Sequence, residues 1–314
     1  MDAPLKPEAN RVKYLWVLGT ALAFGTMEVA LKIGGGHFSE LKLDFLRCFT
    51  LEKPFSPLQL TFLRFFIGGL FLLPFALRDL ARRKYRLTRG DWAFCALEGI
   101  CGVVVSMTLF QMSVNASNAN LAAVLISMNP MFTMAFAHFV AGERFTLRKG
   151  LVLAVCIGGL VLVAAPWKLA AGNTVEGIFL GLGAAIFFGL YTALSKRRVK
   201  RIGGMALNSF SFLLGGLVEL GILLAKGEPV TAGICAKSLP LLAYVSLVVT
   251  GFGYFCFMKA VENAGATTAS YAFFIKPIIA VVLAYLVLGN EITWNIALGI
   301  AIIVTACVYN ARRR

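Results

Sequence analysis

Ten stretches of this 314-residue chain are apolar over about the length that a helix needs to cross a bilayer. They lie near residues 12–34, 57–77, 91–112, 118–140, 147–166, 175–195, 204–225, 238–259, 264–287 and 292–310. In hydrocarbon every backbone N–H and C=O must find its partner inside the protein, and a helix does this within one segment. The expected fold class is therefore an all-α polytopic membrane protein with ten transmembrane helices. Composition points the same way: 59% of residues are hydrophobic and only 14% are charged, where a soluble domain carries about 25% charged residues. Mean hydropathy is +0.81. A soluble enzyme, a disordered chain and a disulfide-rich secreted domain are excluded. The first stretch is too long for the apolar core of a signal peptide and reads as a retained span.

The formal net charge of +15 would suggest nucleic acid in a soluble protein, but its placement here explains it otherwise. With the N-terminus inside, 21 of the 30 Lys and Arg fall on the cytoplasmic side, in both tails and the even-numbered loops. Six lie outside, and Lys32, Arg64 and Lys276 lie in or beside spans. The positive-inside rule thus puts both termini in the cytoplasm, and no nucleic-acid partner is needed. The short tails suit a bacterial inner membrane. Seven cysteines form no C-x-x-C pair, and His37 and His138 stand alone, so no metal or cofactor is expected. No Walker A, G-x-S-x-G or H-E-x-x-H sequence is present, and no enzymatic activity is expected. Cys48 and Cys235 are the cysteines assigned to outer loops, and whether they pair is left open.

The two halves match each other. Leu18, Gly19, Ala21, Phe24, Gly25 and Lys32 recur 164 residues later as Leu182, Gly183, Ala185, Phe188, Gly189 and Lys196. From the second span onward the offset is 147: Phe65, Gly68 and Gly69 recur as Phe212, Gly215 and Gly216, and Phe110, Ala119 and Pro130 recur as Phe257, Ala266 and Pro277. Five spans is an odd number, so a duplicated half enters the membrane upside down, and the expected architecture is two inverted five-helix repeats. The parts are a tail at 1–11, a first repeat at 12–166, a linker at 167–174, a second repeat at 175–310 and a basic tail at 311–314. The changed offset leaves extra residues at 34–57, which suit either an amphipathic interfacial helix or a long outer loop.

The stretch NASNANLAAVLISMNPMFTMAFAHFVAGERFT, residues 115–146, and its counterpart NAGATTASYAFFIKPIIAVVLAYLVLGNEIT, residues 263–293, share a small-residue opening, a proline and a closing Gly and Glu. With these features the chain resembles the EamA-type transporters of the drug/metabolite transporter superfamily. The second copy departs by one residue, reading Gly289-Asn290-Glu291. The resemblance implies two EamA repeats, a central cavity and ATP-independent transport of small metabolites or drugs, without naming a substrate.

Charge inside a span is costly and points to function. Lys276 directly precedes Pro277, whose ring frees a carbonyl near Phe273, and it suits a carboxylate or phosphate. Arg64 either clamps an anionic group or pairs with Glu98. Glu28 and Lys32 share a helix face at i,i+4. Glu98 and Glu219 are candidates to carry coupling protons, although Glu219 also suits a water-facing position. Tyr191 and Tyr271, with Trp16 and Tyr254, are candidate ring surfaces for a substrate. Pro130 and Pro277 suit helix kinks, and Glu143 and Glu291 suit helix junctions. The expected function is secondary transport of a small zwitterionic or anionic metabolite by alternating access, coupled to protons or by exchange, in a monomer or homodimer surrounded by lipid. A cation or multidrug exporter using the glutamates is the alternative within the class. A non-transporting scaffold or sensor is the alternative outside it, and Lys276, Glu28 and Arg64 packed together away from solvent would favour it.

Overall fold

A computed structural model describes residues 7–27, 30, 55–116, 119–143, 146–164, 175–283, 285–286 and 293–312. Glu28, Lys32, Cys48, Glu291 and nearly all of the 34–57 insertion lie outside them. Every regular element among the described residues is helical: α1 (Pro7–Gly25), α2 (Pro57–Arg83), α3 (Arg89–Gly99), α4 (Thr108–Ala116), α5 (Ala119–Ile126), α6 (Asn129–Ala141), α7 (Leu147–Ala164), α8 (Val175–Ile202), α9 (Gly204–Ala225), α10 (Leu239–Ala243), α11 (Gly253–Ala264), α12 (Ala266–Ser270), α13 (Ala272–Leu283) and α14 (Trp294–Arg312). π-helical stretches, Ile100–Met107 and Tyr244–Phe252, join α3 to α4 and α10 to α11 without a break. Where the wider turns leave the ordinary ladder, the Thr250 hydroxyl donates to the Val245 carbonyl at 2.9 Å.

Seven helical runs among the described residues are long and apolar enough to cross a membrane: 57–83, 89–114, 122–141, 175–202, 204–225, 239–264 and 266–283. Two shorter apolar helices cover Tyr14–Gly25 and Trp294–Ala306. The protein is an integral membrane protein, and the helices begin where local chemistry tells them to. Ser56 caps α2, accepting from the Gln59 N–H at 3.2 Å, with Pro57 in the first turn. Thr88 and Asp91 form a reciprocal capping box on α3.

Three pairs of helix starts, Pro57 and Gly204, Ala119 and Ala266, and Leu147 and Trp294, are each 147 residues apart, the offset read in the sequence. Packing follows the same pairing. The equivalent helices α2 and α9 pack on each other, as do α7 and α14. Both pairs are antiparallel. Ser209 donates to the Gly69 carbonyl at 2.9 Å while Gly216 faces Phe66; at the rim Asn295 donates to the Leu162 carbonyl at 3.1 Å and Arg148 to the Tyr309 carbonyl at 3.4 Å. Helix α8 packs on α4 and α6 of the first half, and α1 packs on α11 and α13 of the second. Each half therefore lends its first helix to the other.

Helices α3 and α9 cross closely. A Cβ on Gly99 would collide with the Ser211 carbonyl, and one on Gly215 would sit 2.9 Å from the Gly99 carbonyl. Gly99→Leu is expected to cost at least 2–3 kcal/mol through forced separation of the two helices. A thermal midpoint unchanged in detergent would show that the crossing tolerates a side chain.

Candidate functional site

Where the two halves meet, the core is aromatic. Phe24, Phe65, Phe188, Tyr191, Phe212, Tyr254, Phe257 and Phe273 form a connected set of ring contacts with centroids between 4.8 and 6.3 Å. Repeat partners lie within it: Phe65 stands edge-on to Phe212 at 4.9 Å, and Phe24 and Phe188 both touch Phe257 and Phe273. Such offset and edge-on rings stabilise by about 0.5–1.5 kcal/mol per pair beyond the area they bury. Gly102 in the first π-helical stretch admits the Tyr191 ring, because a Cβ there would approach it to 2.6 Å. The Tyr191 hydroxyl donates to Asn208 at 2.7 Å, and the Asn208 amide donates to the Tyr254 carbonyl at 3.1 Å.

Two cations border this cluster. Arg64, from α2, is 3% exposed; its guanidinium carbon lies 4.7 Å from the Phe65 ring centre, and its terminal nitrogens reach the sulfurs of Met27 at 3.4 Å and Met107 at 3.3 Å. Lys276, from α13, is 1% exposed, and its Nζ stands 5.3 Å from the Phe110 ring centre and 5.8 Å from that of Phe273. Met107 and Phe110 are three residues apart, so the two cations, one from each half, converge on neighbouring turns of one helix. The described neighbours include ring faces and thioethers, both of which attract a cation. Arg64 and Lys276 are away from solvent, while Glu28, the third group of the scaffold criterion, lies outside the described residues.

The carboxylates sit elsewhere than expected. Glu98, fully buried, accepts hydrogen bonds from Ser195 and from Ser211, the latter at 2.9 Å. It pairs with neither Arg64 nor Lys276, so the pairing with Glu98, one of the two alternatives for Arg64, is not formed: the Gly99–Gly215 crossing brings Ser211 close enough to take the bond instead. Glu219 is fully buried and accepts from Thr108, so it is not water-facing. Tyr271 is separate from the aromatic centre and packs with Phe274, 5.8 Å between centroids, in a second cluster that includes Val124, Met134 and Ile303. Trp16 is peripheral, 5.9 Å from Phe255.

The two prolines stand differently in their helices. Pro130 stands in the first turn of α6, just after the chain leaves helix at Ser127 and Met128, and Pro277 lies within α13, which resumes after a break at Tyr271. Glu143 is a junction residue, as its position implied. Its carboxylate accepts from the Ala266 N–H at 2.7 Å and from the Thr267 hydroxyl at 2.7 Å, capping α12 of the other half. His138 is exposed and bonds the Glu143 carbonyl at 3.0 Å. No group of three or more potential metal ligands occurs among the described residues.

At the end of the bundle where α2 stops and α3 starts, charge is densely paired. Asp91, fully buried, accepts from the Tyr85 hydroxyl at 2.7 Å, the Thr88 N–H at 3.0 Å, Arg198 at 3.1 Å and Arg201 at 3.4 Å. Arg83 bonds Asp79 at 3.0 Å and Glu262 at 3.1 Å, and Lys196 donates to the Val261 carbonyl at 3.0 Å. Sequence reasoning did not single out Asp91, Asn208, Ser195, Met107 or Phe110 as part of these networks. The one available signal was that Ser211 and Phe257 are the repeat partners of Arg64 and Phe110.

Residues 11–165 and again 175–312 match the EamA-like transporter family. An uncharacterized transporter of Clostridium kluyveri is 33% identical over 304 residues, spanning 95% of this chain and 92% of its own length. The uncharacterized transporter YvbV of Bacillus subtilis is 24% identical across 82% of this chain and 84% of its own. One of Archaeoglobus fulgidus is 24% identical across 90% and 94%. A solved crystal structure shares the fold, with a TM-score of 0.71 at 16% identity over 98% of this chain and 99% of the other.

Proposed function

Given that the chain belongs to the EamA-like transporter family, we propose that it is a secondary transporter that moves a small zwitterionic or anionic metabolite by alternating access. Its ten spans form two inverted five-helix units, with the substrate site between them near the bilayer midplane. Both termini face the cytoplasm of a bacterial inner membrane, which makes the Asp91 end the cytoplasmic end. The observation that carries this reading is the convergence of Arg64 and Lys276 on Met107 and Phe110. A carboxylate or phosphate would enter between the two cations, and the apolar remainder of the substrate would rest on the rings.

The centre is closed in this conformation, with Phe65, Phe110 and Phe257 fully buried. Binding therefore requires one end of the bundle to part. At the cytoplasmic end that motion must release the Glu143 cap and the Arg83–Glu262 pair, both of which join the two halves. A ligand shifts such an equilibrium only by its differential affinity for the open and closed forms.

The direct test is a thermal-shift screen of the detergent-solubilised protein against metabolites grouped by charge. At 100 times its Kd a ligand adds about 2.7 kcal/mol, and hits confined to anions or zwitterions that vanish in Arg64→Ala are expected. Hits confined to cations would overturn the reading and favour a cation exporter with Glu98 or Glu219 as counter-ion.

Glu98 is the proposed proton carrier, because it is a buried carboxylate held by two hydroxyls whose bonds can be re-formed by a neutral amide. Glu98→Gln is expected to abolish the response of transport to an imposed proton gradient while substrate exchange across the membrane persists. A gradient response equal to that of the wild type would remove Glu98 from coupling.

A further inference from the structure

The rim formed by α7 and α14 has a shape the transport reading does not use. The two helices touch at Gly159, where a Cβ would come within 2.7 Å of Ile303 and 2.9 Å of the Gly299 carbonyl. They touch again where Arg148 reaches Tyr309. Between those contacts small side chains on α14, Ala301 and Thr305, face Leu151 and Val155 on α7 and leave an open groove floored by Val152 and Ala306. Leu151 is 60% exposed, and Val155 and Tyr309 are each 48% exposed. From Arg148 to Val155 the groove runs about 11 Å along the helix axis.

One end of this apolar groove is basic. The Arg148 guanidinium lies 5.6 Å from the Tyr309 ring centre and bonds the Tyr309 carbonyl at 3.4 Å. Lys149 follows in the sequence. In a bilayer the groove faces acyl chains, and its basic mouth lies at headgroup depth on the side that carries Arg83 and Arg201. Arginine presents a planar fork that matches phosphate, and basic pockets between spanning helices favour acidic headgroups.

We propose that the α7–α14 groove binds one anionic phospholipid, with an acyl chain between Val155 and Ala301 and the phosphate on Arg148. A neutral lipid fills the groove equally well but lacks net negative charge for the mouth. The occupant is thus defined by its headgroup, and the site is independent of the substrate.

The test uses the full-length protein in neutral detergent, incubated with phosphatidylglycerol or phosphatidylcholine and examined by native mass spectrometry. The wild type is expected to retain one phosphatidylglycerol per chain at least about fivefold better than phosphatidylcholine, which corresponds to ~1 kcal/mol. Arg148→Ala is expected to erase that preference, and Ala301→Trp, which fills the exposed groove, to lower retention of both lipids. A phosphatidylglycerol carrying a photoreactive acyl chain is expected to label α7 and α14, which locates the site without any variant. Equal retention of the two lipids by the wild type would overturn the proposal. So would labelling confined to other helices, or a dimer sealed through the α7–α14 face.

Discussion

Lys276→Ala is expected to abolish transport while leaving a folded protein in the membrane. The ammonium stands over two rings in the closed centre of the molecule, 1% exposed, and its counterpart Arg64 approaches the next turn of the same helix. A charge-assisted bond from Lys276 to an anionic substrate contributes about 1.5–3 kcal/mol, which is roughly 10- to 150-fold in affinity. The same bond steers the substrate between the cations, so a fall of about 100-fold or more in transport at low substrate is expected. Lys276→Arg keeps the charge and is expected to retain measurable transport. Uptake into proteoliposomes checks both, with thermal stability as the folding control. Transport at the wild-type rate in Lys276→Ala would remove this residue from the site.

Asp91→Ala is expected to produce the largest loss of stability of any single side chain at the charged end. Its carboxylate, 0% exposed, gathers a tyrosine hydroxyl, the Thr88 backbone and hydroxyl, and two guanidinium groups from α8. Breaking a buried ion pair costs about 3–5 kcal/mol. The lower end applies here, because Arg198 and Arg201 keep 28% and 49% of their side-chain surface exposed and can turn to water. Loss of the Asp91 half of the α3 capping box adds up to about 1 kcal/mol, while the Thr88 hydroxyl still caps the helix. A fall in the thermal midpoint of about 5–10 °C is expected, with Asp91→Asn falling less because the amide oxygen still caps α3. A shift below 1 °C would show that the network is incidental to folding.

Much of this architecture is legible in the sequence because hydrocarbon is an undiscriminating solvent. The apolar run at 204–225 coincides with α9, and the capping residues Ser56 and Thr88 sit where α2 and α3 begin. The repeat offset survives as matched helix starts, and the recurring phenylalanines announce the duplication without disclosing that Phe65 and Phe212 would meet. The wide turns at Ile100–Met107 and Tyr244–Phe252 leave no sequence signature, since both stretches are apolar on every side. The candidate charges were legible as charges but not as pairs. A bridge from Arg64 to Glu98 is a natural expectation for buried opposite charges, yet two serines on α8 and α9 satisfy the carboxylate. That outcome depends on how closely two glycines let α3 and α9 approach, which is a property of the crossing and not of the spacing. Tyr271 had the right chemistry for the centre, and the break in the helix at its own position set it facing the rim instead.

The wide turns also bear on ancestry. Shifted by 147, Ile100–Met107 overlaps Tyr244–Phe252, so both halves carry wide turns in the corresponding part of the chain. A feature shared at one register is what a duplicated half-length unit would leave in both of its copies. Arg64 opposite Ser211 and Lys276 opposite Asn129 have no such match between the halves. The wide turns thus belong to what the two halves share, and the two buried cations to what sets them apart.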